Sequence, residues 1–542
     1  MRHWVLAIAL FAACAALFSL PASLDWTEVA VGAPESDAYN SLWILWAVPE
    51  ALRSAEVSLG DFSYLVDPAG ANLWPHLGNV LYPVILAPIT WWKGPIAAAN
   101  VGLILVLFLN CFCAYLFLQH VVGDLPSALP PAVGFGVGSF VLAEAAYGNV
   151  ELAGVFVVPL AAWAIVRSCD EPGWRRALWM TAALLLAALW NAYYGMAVFV
   201  FAVLAAGWAV FSDRTKRPLW FTGGALLAAS AMLLPVALWL SRQVDAAAPA
   251  GGWQAVGAHL DLLEPIFFAR NYPNTVPYFL LLLAVGVTVT KRRRDTLFWW
   301  VAAGVFFLFA LGESIHVYGH DTGLPGPYRL LSWLPGMERA RWPYRFVILS
   351  QLAVAVIAAH AVRGVLEYLD TGGGRGERRF TGLLVLLALA VSFFLVPHPG
   401  LKTDAPEPYG AVHEHGPGAV LELPASLDFH VNSRNLFYQT VHRHPVLAAK
   451  PFPDYPPGFA AAAVDAVPAL AAIDKIDLDL PALVGVDAPA FRNDLKKLGV
   501  RYVALHFLEL NDARREPFKT WLAETFGPPV RSGDTVLMYL VR

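Results

Sequence analysis

Residues 96–118 read IAAANVGLILVLFLNCFCAYLFL, an apolar run of 23 residues without a charged side chain. A helix over these residues can cross the hydrocarbon core of a bilayer, which takes about 20 residues. Further apolar runs occur roughly at 4–20, 130–146, 151–166, 177–192, 195–211, 218–240, 275–290, 296–311, 344–362 and 380–397. We therefore predict an all-α polytopic membrane bundle with about eleven transmembrane helices.

The composition of the whole chain agrees with a membrane protein. Hydrophobic residues make up 58% of its 542 residues, charged residues only 14%, and the mean hydropathy is +0.55. A soluble protein of this length carries more charged surface than this. The formal net charge of −4 argues against a nucleic-acid partner, which would attract an excess of basic residues.

The distribution of basic residues predicts the topology. If the N-terminus lies inside, the inner segments hold 15 basic residues (Lys and Arg) and 8 acidic residues (Asp and Glu). The outer loops before residue 398 then hold 8 basic and 16 acidic residues. Such a bias follows the positive-inside rule. An odd number of spans then leaves residues 398–542 outside. The apolar piece 79–92 is interrupted by Pro83 and Pro88, so it is predicted to be interfacial or re-entrant rather than a span.

Two domains follow from this pattern. Residues 1–397 form the transmembrane domain, with residues 21–95 as its first outer loop, and residues 398–542 form a small soluble α/β domain. The soluble part has strand-like runs at 419–423, 501–506 and 535–541, and helical stretches near 459–473 and 489–498.

Ionisable residues avoid the middle of the apolar runs and gather in the outer loops. Ion-coupled transporters usually place such groups at mid-depth, because the coupling ion is bound there. This pattern favours chemistry at the outer interface. Asp37 precedes an apolar run with helical spacing, so it is either an N-cap or a general base near the membrane surface. Tyr39 and Asn40 follow it directly, and His76 ends the same loop; each is a candidate substrate-binding residue or an ordinary loop residue.

Arg339, Arg341 and Arg345 lie at the outer end of a predicted span, on the side that the charge rule disfavours. They could anchor the chain in lipid headgroups, or their guanidinium groups could bind a phosphate or pyrophosphate leaving group. Upstream, Glu313 could end a helix or contact sugar hydroxyls. We expect the three arginines to be lipid-phosphate-binding residues and Glu313 to be a substrate contact.

Aromatic and amide side chains occur in short outer turns. Tyr147 and Asn149 belong to the turn Tyr-Gly-Asn, where they could bind sugar or form part of an interfacial aromatic belt. In the soluble part, the pairs His413/His415 and His442/His444 would each share a strand face. No neighbouring cysteine or carboxylate pattern supports a zinc site there, so no metal ligands are assigned.

Several of these stretches resemble GT-C type integral-membrane glycosyltransferases, in particular bacterial members with a C-terminal outer domain. The likeness is carried by residues 37–46, by Asp67-Pro-Ala-Gly with Trp74-Pro-His76, by Tyr147-Gly-Asn149, and by residues 334–346, 418–424 and 498–506. These stretches are spread over the chain from end to end.

The resemblance implies an inverting glycosyltransferase in the bacterial cytoplasmic (inner) membrane, with its C-terminal domain extracytoplasmic. The donor would be a polyprenyl-phosphate or polyprenyl-pyrophosphate sugar, and the acceptor a glycan, lipid or protein. Asp37 occupies the place of the acidic residue in the first outer loop that acts as base or positions the acceptor in the family. Many relatives have two adjacent acidic residues, whereas Glu35 and Ser36 precede Asp37 here, so a divalent cation is possible but no cofactor is certain. The alternatives are a transporter or flippase of lipid-linked saccharide and a non-catalytic envelope assembly protein.

Overall fold

In the computed structural model, helices and strands occur both within residues 1–397 and within residues 398–542. It describes residues 2–33, 36–65, 72–74, 77, 79–213, 217–247, 261–263, 284, 296–333, 342–369, 375–395, 400–402, 407–424, 429–447, 487–510 and 512–542. The helices of the first half are α1 (Arg2–Leu17), α2 (Ala38–Arg53), α3 (Leu81–Lys93), α4 (Pro95–Val122), α5 (Leu125–Gly136), α6 (Ser139–Ala146), α7 (Val150–Ala153), α8 (Val157–Asp170), α9 (Trp174–Trp190), α10 (Ala192–Asp213) and α11 (Arg217–Ala247). The later ones are α12 (Leu297–Ala310), α13 (Arg329–Ser332), α14 (Val347–Leu369), α15 (Arg375–Leu395), α16 (Gly410–Glu414), α17 (Phe429–His442), α18 (Ala488–Lys497) and α19 (Asp512–Phe526).

The predicted class, a helical membrane protein with small sheets, is confirmed. Within the described ranges, six helical segments are long and apolar enough to cross a membrane: Pro95–Val122, Leu125–Ala146, Val150–Asp170, Ala192–Ser212, Arg217–Arg242 and Pro343–Glu367. Shorter apolar helices cover Trp4–Leu17, Leu297–Ala310 and Arg379–Ala388. Of the predicted span 275–290, only residue 284 lies among the described residues. The count of eleven and the inside location of the N-terminus stay predictions.

Two of the predicted spans are interrupted helices. The run 130–146 is divided between α5 and α6, and the run 151–166 between α7 and α8. The side chain of Asn110, in the apolar helix α4, donates to both interruptions: its Nδ2 lies 2.8 Å from the carbonyl oxygen of Ala153 and 3.4 Å from that of Gly136. A buried amide in an apolar helix needs such partners, and it satisfies carbonyl groups that the helix ends leave open.

The strands form two small antiparallel pairs and one larger mixed sheet. They are β1 (Val29–Val31), β2 (Ser314–Val317), β3 (His320–Pro325), β4 (Gly400–Lys402), β5 (Ala419–Leu423), β6 (Val446–Leu447), β7 (Val500–His506), β8 (Arg531–Ser532) and β9 (Val536–Leu540). The mixed sheet has the order β6-β5-β7-β9-β8. In it β5 is parallel to β6 and β7, whereas β9 is antiparallel to β7 and β8.

The C-terminal part, residues 398–542, agrees with most of the sequence pattern. The strand-like runs at 419–423, 501–506 and 535–541 correspond to β5, β7 and β9, and the helical stretch at 489–498 corresponds to α18. The helix expected near 459–473 lies outside the described residues. The expectation that each histidine pair shares a strand face is wrong, because His413 lies in α16 and His442 ends α17.

The first outer loop packs against the C-terminal part of the chain. Strand β1 pairs with β4, and helix α2 packs against α17. The indole nitrogen of Trp43 donates to Oε1 of Gln439 at 2.9 Å, and Nε2 of Gln439 donates to the carbonyl oxygens of Tyr64 at 2.6 Å and His444 at 3.1 Å. The Gln439 side chain is fully buried. Through these three hydrogen bonds its amide connects the first outer loop, at Trp43 and Tyr64, to His444 in the C-terminal part.

Replacement of this amide tests how firmly the two parts are joined. Gln439→Ala is expected to lower the free energy of unfolding by about 2–3 kcal/mol, because buried polar groups of the neighbouring segments lose their partner. Thermal unfolding of the purified full chain and limited proteolysis would measure the effect. Val441→Ala changes an exposed side chain of the same helix and serves as the control, with an expected change within about 0.5 kcal/mol. Equal melting temperatures for both variants would contradict this role.

Candidate functional site

Asp37 lies where helix α2 begins, but its side chain does not cap the helix. The residue has helical dihedral angles and makes no capping hydrogen bond. The hydroxyl oxygen of Ser36 instead accepts from the backbone N–H of Ala38 at 3.3 Å. The Asp37 carboxylate accepts from Nδ2 of Asn149 at 3.1 Å. Of the two roles that the sequence left open for Asp37, side-chain capping is therefore not the one observed.

Asn149 links Asp37 to a second carboxylate. Its Nδ2 also donates to Oε2 of Glu144 at 3.3 Å. The other oxygen of Glu144 accepts from the hydroxyl of Tyr344 at 2.6 Å and lies 3.9 Å from Nε of Arg345. We call these five residues the Asp37–Arg345 network. It connects the first outer loop to the start of the segment Pro343–Glu367, which is far away in sequence.

The guanidinium group of Arg345 is surrounded by aromatic rings. It lies 4.7 Å from the ring centre of Tyr193, 5.5 Å from that of Trp342 and 5.7 Å from that of Tyr344. The Arg345 side chain is 11% exposed and that of Glu144 is 6% exposed. Within the described part of the chain, Nε of Arg345 has no hydrogen-bond partner. Besides Nε, a guanidinium group carries two NH₂ groups, and these are donors that an anion such as phosphate can use.

The network lies at one end of the bundle. Glu144 is near the end of the segment Leu125–Ala146, Asn149 lies just before Val150–Asp170, and Arg345 is near the start of Pro343–Glu367. Three segments that could each cross a bilayer therefore bring these groups to the same end of the helical bundle. Charged side chains are costly at the centre of a bilayer. Charged groups at the ends of apolar helices are therefore expected at the membrane interface, which is closer to water.

Two glycines allow the turn that carries Asn149 to approach helix α2. Gly148 has φ +80°, and a Cβ on it would lie 2.3 Å from Cα of Ala38. Gly32 has φ +148°, and its Cβ would lie 2.4 Å from Cβ of Ala38. Because L side chains avoid such dihedral angles and the neighbouring atoms are backbone, only glycine fits at position 148. The Asn149 side chain thereby comes within hydrogen-bonding distance of Asp37.

Gly148→Ala is therefore expected to separate the turn from α2. The added Cβ meets backbone atoms and the positive φ is strained, so we expect a loss of about 2–4 kcal/mol in the free energy of unfolding. The melting temperature of the purified protein measures this loss. In the control Gly207→Ala the new Cβ meets nothing within 4 Å inside a helix, so its stability should change by less than about 1 kcal/mol. A Gly148→Ala protein as stable as this control would contradict the close approach.

The other predicted site residues differ in their surroundings. Tyr39 is buried, with its ring centre 5.5 Å from that of Phe437. Burial raises the pKa of the Tyr39 phenol, and the nearby Arg434 guanidinium opposes the rise. Asn40 is buried as well, and its Oδ1 has no hydrogen-bond partner among the residues described. Tyr147 is exposed.

Three predicted site residues, His76, Arg339 and Arg341, lie outside the described residues. Glu313 is exposed. Its backbone carbonyl accepts from the N–H of Gly326 at 2.7 Å, and its described hydrogen bonds do not reach the Asp37–Arg345 network. The prediction of a substrate contact by Glu313 therefore gains no support from this geometry.

Sequence reasoning assigned no role to two members of the network, Glu144 and Tyr344. For Glu144 the sequence does contain a signal, because this acidic residue lies inside an otherwise apolar stretch that ends in Tyr-Gly-Asn. A buried carboxylate requires a partner, and in this chain the partner is 200 residues away.

A second buried polar cluster lies in the C-terminal part. Glu422 of β5 accepts from the hydroxyl of Tyr409 at 2.9 and 3.0 Å, and Nε2 of His506 lies 2.8 Å from its carboxylate. The ring of Tyr438 is stacked on His506 at 5.6 Å. These groups satisfy one another inside the domain, so the cluster is explained as part of the core.

The described residues contain no group of three His, Cys, Asp or Glu side chains arranged to hold a metal ion. In the network, the carboxylates of Asp37 and Glu144 share the amide of Asn149 rather than converging on one point. Because the described donor set does not fit a divalent cation, no step is assigned to one.

Comparisons with known proteins match at the level of structure. No family model matches the sequence, and no curated protein sequence matches it. The mycobacterial arabinofuranosyltransferase AftD superposes with a TM-score of 0.57 at 17% identity, covering 100% of this chain and 40% of AftD. The Archaeoglobus fulgidus oligosaccharyltransferase in its apo form gives 0.50 at 12% identity, covering 96% of this chain and 71% of that one.

This chain spans less than half of the length of AftD. At these identities the likeness concerns the fold. The resemblance predicted from the sequence is confirmed at that level: the structural neighbours of this chain are GT-C glycosyltransferases.

Proposed function

We propose that this protein is an inverting membrane glycosyltransferase. It would move a sugar from a polyprenyl-phosphate or polyprenyl-pyrophosphate carrier to a cell-envelope acceptor at the outer face of the bacterial cytoplasmic membrane. The observation that supports the proposal is the Asp37–Arg345 network, which holds a carboxylate and a guanidinium group at one end of the helical bundle.

Asp37 is the proposed general base. An acceptor hydroxyl gives its proton to the Asp37 carboxylate while its oxygen forms a bond to the anomeric carbon of the donor. The bond from that carbon to the phosphate oxygen breaks, and the phosphate leaves with the electron pair. Attack from the face opposite the phosphate inverts the anomeric configuration. Asn149 orients the base through its amide, which donates at 3.1 Å.

Arg345 is the proposed phosphate-binding residue. Charge builds on the departing phosphate, and a preorganised cation at that point lowers the barrier. The aromatic rings around Arg345 hold the guanidinium group in position. We propose that Arg339 and Arg341, from the same loop, assist it. The Glu144 carboxylate, 3.9 Å from Nε of Arg345, also helps to hold this side chain.

Of the remaining predicted residues, five are proposed to bind sugar hydroxyls, whereas the contact by Glu313 stays a prediction from the sequence. Tyr39 and Asn40 follow the base on helix α2, and the Oδ1 atom of Asn40 is buried with no partner among the described residues. Such an atom can accept a hydrogen bond from a hydroxyl group. Tyr147 and Asn149 would contribute from the neighbouring turn, and His76 from the end of the first outer loop.

Reconstitution tests the proposal. The purified full chain in liposomes is given a labelled polyprenyl-monophosphate or polyprenyl-pyrophosphate sugar together with envelope acceptor fractions. The expected result is protein-dependent label in the acceptor, with the opposite anomeric configuration. Movement of intact donor across the bilayer without transfer would overturn the proposal in favour of a flippase. Transfer with retained configuration would contradict the proposed single displacement.

A further inference from the structure

A shallow, widely open cavity of about 500 Å³ lies at the other end of the bundle. It is lined by residues 171–176 and by Arg217, so it lies between the end of α8, the start of α9 and the start of α11. The segment Val150–Asp170 runs from the Asp37–Arg345 network to this cavity. At 1.5 Å per residue that segment is about 30 Å long, so the cavity lies about one bilayer thickness from the proposed reaction site.

The lining of the cavity is cationic. Arg175, Arg176 and Arg217 contribute three guanidinium groups, and Glu171 contributes the one carboxylate. Arg176 is hydrogen-bonded to Glu171. The Arg175 guanidinium lies 5.3 Å from the ring centre of Trp174. Two positive charges therefore exceed the acidic charge of the lining, and guanidinium groups match phosphate oxygens in geometry.

The surface beside the cavity is apolar and exposed. On α9, Leu178 and Trp179 have relative exposures of 63% and 74%, and on α11 Leu219 and Trp220 have 51% and 77%. Helices α9 and α11 pack against each other, so the two sets of side chains border the same end of the bundle. A soluble anion would use only the cationic cavity, whereas an amphiphile with a phosphate group would use both surfaces.

We propose that this cavity binds the phosphate headgroup of an anionic phospholipid, whose acyl chains lie along the exposed apolar side chains of α9 and α11. Basic pockets between transmembrane helices on the cytoplasmic side bind such headgroups, and the charge pattern of the sequence predicts that this end faces the cytoplasm. This site is separate from the Asp37–Arg345 network. The proposal of lipid binding therefore does not depend on the proposed sugar transfer.

Lipid binding to the purified full chain tests the site. The delipidated protein in neutral detergent is titrated with phosphatidylglycerol or with phosphatidylcholine of the same acyl chains, and bound lipid is counted by native mass spectrometry. We expect at least about tenfold tighter binding of phosphatidylglycerol, and loss of that preference in the double variant Arg175→Gln/Arg217→Gln. Arg379→Gln, an exposed arginine near the start of α15, is the matched control and should keep the preference.

Two further measurements make the result unambiguous. The double variant Arg175→Lys/Arg217→Lys keeps the charge and should keep a preference for phosphatidylglycerol, which shows that substitution at these positions is tolerated. Inorganic phosphate at the same concentrations should not displace the lipid. Equal binding of both lipids, an unchanged preference in the Gln variant, an equal loss in Arg379→Gln, or displacement by inorganic phosphate would each overturn the proposal.

Discussion

Asp37→Asn is expected to lower the rate of sugar transfer by a factor of about 10³, within the range that general base catalysis contributes. The substitution keeps the size of the side chain and an oxygen that can accept the hydrogen bond from Asn149. What it removes is the capacity to take a proton from the acceptor hydroxyl. The folded state should therefore survive while the transfer rate falls.

The design separates catalysis from folding. Initial rates are measured in liposomes at saturating donor, and the melting temperature of each variant is measured in parallel. Asp61→Asn removes an exposed carboxylate from the same outer loop and should retain the wild-type rate. A transfer rate for Asp37→Asn within a few-fold of this control would remove Asp37 from the mechanism. An equal loss in both variants would point to the charge of the loop as a whole.

Glu144→Leu is expected to destabilise the folded protein by about 3–5 kcal/mol, because it leaves the Arg345 cation buried without its carboxylate. The Tyr344 hydroxyl loses its acceptor in the same step, and the Asn149 amide keeps only the Asp37 carboxylate as an acceptor. This prediction concerns folding and does not depend on the proposed reaction. It is checked by thermal unfolding in detergent and by the yield of monodisperse protein.

A second substitution identifies the cause of the loss. If the unpaired cation is responsible, the double variant Glu144→Leu/Arg345→Met should recover much of the stability, since removal of both charges abolishes the desolvation penalty. Tyr344→Phe removes one hydrogen bond and should cost only about 1 kcal/mol. A double variant no more stable than Glu144→Leu alone would show that packing, rather than charge, causes the loss.

The fold class could be predicted from the sequence because it rests on local properties. A run such as residues 96–118 predicts a membrane-spanning helix whatever its neighbours are, since a bilayer offers its backbone no other partners. The strands at 419–423 and 501–506 were equally visible as short apolar runs. These predictions needed only the order of residues within one segment.

The remaining features depend on pairing between distant segments. Nothing near Val29 or Gly400 in sequence predicts that β1 and β4 meet, because each strand has only three residues. Helix α17 was not predicted, because its buried side mixes polar residues such as Gln439 with the apolar Leu436 and Phe437. Such a mixture gives no continuous apolar stripe with helical spacing.

The candidate site was predicted in part for the same reason. Asp37 and Arg345 stood out as charged residues at the ends of apolar runs, and their joining through Asn149 and Glu144 is visible only in three dimensions. The Glu144 carboxylate is buried by segments far from it in sequence, so its importance could not be read from its own neighbourhood.

The pairing of β1 with β4 also has a consequence for biogenesis. Strand Val29–Val31 emerges early during synthesis, but its partner Gly400–Lys402 is made more than 350 residues later. At about 5–20 residues per second, the ribosome takes roughly 20 to 75 s to reach it. During that interval the nascent first loop has an unpaired strand edge and an indole at Trp43 that still lacks Gln439. Insertion of the last helices, rather than of the first, therefore completes the loop, and a nascent chain stalled before residue 400 would present it to chaperones and proteases.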